Sequence, residues 1–221
     1  MQEKLAFTSG DDGLDISKKS RCHNNRCFGI ISDNMNVLDM EIAGVKIVEP
    51  EIRRDGRGYF CETYNRRRYF DAGITAGFVQ DNESFSMKGV VRGLHWQAAP
   101  FGQAKLVRVI SGRVFDVAVD VRKGSPTFGK HVAVELSAEN GLQLFIPRGF
   151  AHGFMVLEDN TLFSYKCDNL YNPGSERGLR FDDPSLGIEW PHIGVDFTLS
   201  EKDKKHPCLS AVEPYDEIGS V

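Results

Sequence analysis

KLVRVISGRVFDVAVDV (residues 105–121) alternates apolar and polar side chains on both sides of a Ser111-Gly112 break. Val107 and Val109 precede the break, and Val114 with the series Val117, Val119 and Val121 follows it. These period-two apolar faces predict a β-hairpin turning at Ser111-Gly112. HVAVELSAENGLQLFIP (131–147) repeats the design around Glu139-Asn140-Gly141, and HGFMVLEDNTLFSYK (152–166) around Glu158-Asp159-Asn160. Between residues 79 and 171 no long helical period intervenes. Short strands at close spacing, with glycine-bearing turns, predict an all-β chain built as an antiparallel sandwich, jelly roll or barrel.

Outward from this centre the pattern holds and then fades. GYFCETY (58–64) reads as a further strand, and NRRRYFDAGI (65–74) as a short helix ended near Gly73. DDPSLGIEWPHIG (182–194) is punctuated by proline and predicts an irregular segment wrapping over a sheet. Residues 1–34 are polar, rich in Gly, Asp, Asn and Ser, and lack a period, so they are expected to form a poorly ordered leader to a single domain over 35–221.

Composition narrows the function classes. The 221 residues are 41% apolar and 26% charged, ordinary for a globular protein rather than a disordered one. A net charge of −4 without a long basic run argues against nucleic acid as a partner. No apolar run approaches the roughly 18–20 residues that span a bilayer, and the N-terminus lacks a signal-peptide core. Five cysteines at irregular spacings do not form a disulfide framework, and CHNNRC (22–27) lacks the second ligand pair of a structural zinc site. The expectation is a reduced, soluble, cytoplasmic protein without a membrane partner.

Two motifs carry chemistry. Gly141, Pro147, Gly149 and His152 match the second metal-binding motif of the cupins, G-x5-P-x-G-x2-H. Gly89 and His95 match the start of the first, but Gln97 replaces its second histidine, and Phe101 or Gly102 stands where its glutamate belongs. Half of the usual ligand set is therefore missing. A neutral amide is a poor substitute for an imidazole, so no metal is expected.

Two histidines at the mouth of a barrel can instead move protons, since an imidazole with a pKa near ~6.5 is available as a base at neutral pH. Lys105 opens the next strand, and Tyr165 closes the one after His152. Base, ammonium and phenol together suit removal of a proton beside a carbonyl, with the ammonium stabilising the enolate. Each also has a plainer reading: His95 or His152 as a structural core residue, Tyr165 as a rim aromatic, Lys105 as a solvated strand end. Arg92, three residues before His95, would face the other way on a regular strand unless Gly93 breaks the alternation.

Four stretches, FVQDNESFSMKGVVRGLHWQAAPFGQAKLVRVISGRVFDVAVD, IPRGFAHGF, FSYKCDNLYNPGSERGLRFDDPSLGIEWP and LSEKDKKHPCL, resemble the dTDP-4-dehydrorhamnose 3,5-epimerase family. The likeness runs in order from about Met35 to about Leu209. It implies a cupin-type jelly roll with a few short helices, a homodimer, no cofactor, and inversion of C3 and C5 of a dTDP-linked 4-keto-6-deoxy hexose. It further implies His95 as the base, Tyr165 as the opposite proton donor, Lys105 beside the keto oxygen and Asp203 as the base's carboxylate. Residue chemistry alone leaves Asp116, Asp120 and Asp183 open beside Asp203. Arg57, Glu62, Gln80, Asn82, Arg92, His152, Glu176 and Lys202 resemble substrate-contacting positions, and Tyr171 the aromatic that stacks on thymine. Arg57 is implied to act across the dimer; its plainer reading is a turn residue facing water. Trp96 where tyrosine is common, RFDDP in place of Trp-Asn-Asp, and the leader depart from the family pattern. An enzyme inverting one carbon or acting on another nucleotide-linked 4-keto sugar is the alternative; a cupin that only binds such a sugar is another.

Overall fold

The computed structural model describes residues 29–32 and 35–217. Its strands are β1 (Gly29–Ser32), β2 (Met35–Asp39), β3 (Lys46–Pro50), β4 (Ile52–Asp55) and β5 (Gly58–Cys61). After helix α1 (Arg66–Asp71) come β6 (Gln80–Ser86), β7 (Val91–Gln97), β8 (Lys105–Ser111), β9 (Arg113–Asp120) and β10 (His131–Ser137). β11 (Gln143–Ile146), β12 (Phe150–Val156), β13 (Thr161–Cys167) and β14 (Glu176–Gly178) complete the set. A seven-stranded sheet in the order β1-β2-β3-β11-β8-β13-β6 packs on a five-stranded sheet in the order β10-β9-β12-β7-β14, and β4-β5 forms a separate ribbon. Every named pair is antiparallel, the architecture expected of a jelly roll.

The three expected hairpins are not hairpins. β8 lies in the larger sheet and β9 in the smaller; β10 and β11 part in the same way, and so do β12 and β13. Each glycine- or asparagine-bearing turn is a corner where the chain crosses from one sheet to the other. The reason lies in what the apolar faces meet. Val107, Val109 and Val114 pack between the sheets, whereas Val117, Val119 and Val121 line the opposite face of the smaller sheet. A hairpin places both strands in one sheet. These strands must each complete a different one, and the crossing lets both faces of β9 and β12 be covered.

Three apolar layers result. Between the sheets lie Val107, Leu144, Ile146 and Phe163 against Ala118, Phe150, Phe154 and Leu136. The outer face of the smaller sheet, with Leu94, Trp96 and Ala151, is covered by Leu186 of the expected irregular segment, together with Leu179 before it and Tyr215 after it. On the larger sheet, Leu106, Val48 and Phe145 pack against Tyr69, Ala72 and Ile74 around α1. Full burial of side chains of this size contributes roughly 1.5–3 kcal/mol each before conformational entropy is set against it. The helix starts where Asn65 accepts a hydrogen bond from the Arg68 backbone N–H, as an N-cap does. Gly29–Ser32, inside the stretch expected to be a leader, pairs with β2; residues 1–28 and 33–34 lie outside the described residues.

Candidate active site

β7 delivers the first imidazole, and it is bulged. His152 pairs with His95 and Phe154 with Arg92, so Gly153 alone stands opposite Gly93 and Leu94. The extra residue reverses the parity of a three-residue step, and Arg92 and His95 emerge on the same face. That face looks between the sheets.

His95 Nε2 lies 2.6 Å from Asp203 Oδ1. Asp203 opens the short turn Asp203–Lys205, and its backbone N–H donates to Ser200 Oγ at 3.1 Å. Burial alone would raise the Asp203 pKa, but the hydrogen bond and charge of His95 outweigh it, and the carboxyl is held below its ordinary range. An ionised carboxylate on Nε2 keeps the proton there and leaves Nδ1 as the nitrogen that can accept another.

His152 has its own carboxylate. Its Nε2 lies 3.0 Å from both oxygens of Asp116, and both side chains are buried. Burial pushes the His152 pKa down, and the Asp116 charge offsets this only in part. Of the aspartates left open by the sequence, Asp203 thus serves His95 and Asp116 serves His152. Asp120 binds Arg122, Ser125 and Thr127, and Asp183 caps the turn at Pro184–Leu186.

The larger sheet supplies the opposite wall. Tyr165 pairs with Asn82 on one side and Val107 on the other, and Cys167 pairs with Lys105, which sets Tyr165, Lys105 and Asn82 on one face. Phe163, on that face, stacks on Phe154 at 4.1 Å between centroids and lies 6.2 Å from the His152 ring, joining the two sheets at the floor of the site. Lys105 Nζ stands 5.9 Å from the centroid of the Tyr165 ring. Burial lowers the Lys105 pKa and raises that of Tyr165. Lys105 and His95 both act through space on His152, which places these three groups in one electrostatic neighbourhood.

A polar network joins the rim. The Tyr171 hydroxyl donates to Glu176 at 2.6 Å, and Glu176 also binds Lys202. The Tyr171 backbone N–H donates to Gln80, whose amide donates to Asn82 at 3.0 Å. Arg92 donates to Ser86 Oγ at 3.1 Å. Eleven predicted residues, His95, Tyr165, Asp203, Lys105, Gln80, Asn82, Arg92, His152, Tyr171, Glu176 and Lys202, are therefore gathered at one end of the sandwich. Arg57 and Glu62 are not. Arg57 is held by Asp55 on the β4-β5 ribbon and Glu62 by Arg68, and Glu62 borders a separate cavity of about 150 Å³ beside Tyr69.

The donor set does not fit the metal of a cupin. The Gln97 amide nitrogen donates to the carbonyls of Phe101 and Leu170 and its oxygen accepts from the Asn172 N–H, while Asp116 occupies His152 Nε2. The side chain that sequence reading missed is His206; one of its ring nitrogens, one of His95 and a carboxylate oxygen of Asp203 lie within 4.8 Å of one another. Its only signal was a histidine three residues after the aspartate. Two of the departures in sequence fall outside the site: Trp96 packs in the outer apolar layer, and in RFDDP Asp182 pairs with Arg180 and Asp183 caps a turn.

Fold and site define a cupin-type jelly roll with a carboxylate-held imidazole facing a phenol and an ammonium at the mouth between its sheets. A match to the family described as dTDP-4-dehydrorhamnose 3,5-epimerase spans residues 39–211, and the chain belongs to that family. The dTDP-4-dehydrorhamnose 3,5-epimerase of Shigella flexneri is 56% identical over 170 residues, covering 76% of this chain and 93% of its own. That of Sinorhizobium fredii is 51% identical over 179 residues, covering 80% and 91%. The crystal structure of dTDP-6-deoxy-D-glucose-3,5-epimerase from Legionella pneumophila in complex with dTDP-4-keto-L-rhamnose superposes with a TM-score of 0.79 at 48% identity, covering 83% of this chain and 99% of that one.

Proposed function

We propose that this protein converts dTDP-4-dehydro-6-deoxy-D-glucose to dTDP-4-dehydro-L-rhamnose by inverting C3 and C5, in the making of dTDP-L-rhamnose. The observation that carries this reading is the opposition of a carboxylate-held imidazole on one sheet to a phenol and an ammonium on the other. The C4 ketone acidifies the hydrogens on both neighbouring carbons. His95 Nδ1 takes one of them, and Asp203 stabilises the imidazolium that forms. The Lys105 ammonium lies where an enolate oxygen needs a donor; partial desolvation strengthens that interaction. Tyr165, a phenol protonated at neutral pH whose pKa burial raises further, returns a proton to the opposite face of the carbon. Repetition at the second carbon completes the change without a redox partner.

Tyr171, at the exposed rim, is assigned to stack on thymine, and Arg92 to meet the diphosphate, to which a guanidinium fork is well matched. Gln80, Asn82, His152, Glu176 and Lys202 line the sugar and nucleotide path. The enzyme works as a homodimer in the cytoplasm. In support, Arg57 and Glu62 lie away from their own chain's base, Cys61, Cys167 and Cys208 are free thiols, and among the described residues no helix is long and apolar enough to cross a membrane.

The test is proton exchange. In deuterated water, with dTDP-4-dehydro-6-deoxy-D-glucose as substrate, NMR is expected to show deuterium entering at C3 and C5. Label at one carbon only would reassign the chain to a single-carbon epimerase, and label at neither would reject the chemistry.

A further inference from the structure

His206 belongs to none of the roles assigned above. Its ring lies edge-on to that of His95, with centroids 5.3 Å apart, and it rests on β14 at Gly178, where a Cβ would collide with the imidazole. Its Nε2 is buried with no hydrogen-bond partner among the described residues, and it lies 3.4 Å from Asp203 Oδ1. An unsatisfied buried polar atom costs about 1–3 kcal/mol, so this placement is not explained by folding alone.

We infer that His95, Asp203 and His206 form a binding site for a first-row divalent cation, zinc above all, and that the bound ion switches the base off. Two imidazoles and a carboxylate are ordinary zinc ligands, with bonds of about 2.0–2.2 Å, so paired donors on a tetrahedral ion stand roughly 3.3 Å apart. The His206–Asp203 separation already has that value, and the three donor atoms lie within 4.8 Å of one another. The His95–Asp203 pair, at 2.6 Å, needs to open slightly as the ion enters. The His95 side chain is 28% exposed, so water can reach the fourth position.

The exchange balances simply. His95 binds as its other tautomer: the proton on Nε2 leaves for solvent, Nδ1 takes one up, and the lone pairs of Nε2 and Asp203 Oδ1 go to the ion. Nδ1 of the bound imidazole then carries the ring's one proton and has no lone pair left to take hydrogen from carbon. The site differs from the cupin metal position, because it uses the C-terminal turn rather than His152. The inhibition rests on the proposed function, whereas the binding does not.

Cys22, His23 and Cys27 offer the ion a competing site in sequence, so the background for the test is the full chain carrying Cys22→Ser and Cys27→Ser. Equilibrium dialysis of the chelator-stripped protein against zinc chloride is expected to show saturable binding, lost in both His206→Ala and His206→Asn. Circular dichroism and dTDP binding should be unchanged in these variants. Zinc should also stop epimerisation by the parent and leave His206→Ala active. Binding that survives both His206 substitutions overturns the inference. So does activity that is lost to chelator and restored by zinc, since the ion would then serve the reaction. Zinc binding that depends on His206 in a chain that epimerises nothing upholds the site and rejects the proposed function.

Discussion

His95 does its proposed work through two different nitrogens, and that division is what a substitution can dissect. Asparagine keeps a polar group near Asp203 but has no ring nitrogen to accept a proton from carbon. His95→Asn should therefore lower solvent exchange and turnover by about a thousandfold or more, within the range of general-base contributions, while dTDP affinity measured by calorimetry stays near the parent's. Exchange retained in that variant would remove His95 from the role of base. The imidazoles partly or fully withdrawn from water also make a statement about stability. Burial lowers the folded-state pKa of His131, His152 and His206. Below the unfolded-state value near ~6.5 the unfolded chain binds more protons, so stability present above that pH is lost as pH falls through it. Urea melts are expected to show a lower unfolding free energy at mildly acidic pH than at neutrality. A rise on acidification would contradict the burial of these neutral rings.

At the level of single elements, β7 shows how the backbone aims the side chains. Gly93 has φ +120°, and a Cβ there would stand 2.5 Å from Gly153 Cα. Only two glycines permit β7 and β12 to approach so closely across the bulge. Gly93→Ala should cost about 3 kcal/mol in denaturant melts, through backbone strain and overpacking, and should reduce activity by turning Arg92 or His95 off the shared face. A variant as stable and active as the parent would show that the bulge is not what orients them. This element also marks the limit of what the sequence discloses. The alternating valines and the G-x5-P-x-G-x2-H spacing foretell strands, their turns and an all-β sandwich, because period and turn chemistry are local. They do not foretell that β8 and β9 part company, because a turn residue looks the same whether its strands pair or cross. Similarly, His95, Tyr165 and Lys105 announce themselves by chemical type. Asp203 stands 108 positions from His95, and nothing local distinguishes it from Asp116. His206 was invisible for the same reason.

The β4-β5 ribbon raises a question that only the whole molecule can answer. It carries Tyr59 and Phe60 more than half exposed, a large apolar area for a lone protomer, and beside them Arg57 and Glu62, held by Asp55 and Arg68 rather than by anything near His95. In the proposed homodimer this ribbon covers its apolar face against a second copy and brings Arg57 and Glu62 to that copy's rim. A two-fold dimer then holds two sites, each built from both chains. Mixing tests this directly. His95→Asn disables the site that supplies its own base, and an Arg57→Ala/Glu62→Ala double variant disables the site of its partner. Each alone should form an inactive or weakened dimer. In a mixed dimer both lesions fall on one site, and the other site is intact. Unfolding and refolding the two variants together in equal amounts should make half the dimers mixed and recover about a quarter of parental activity by random pairing. Activity no higher than the sum of the separately refolded variants, with dimers confirmed by light scattering, would mean that Arg57 and Glu62 serve their own chain or none.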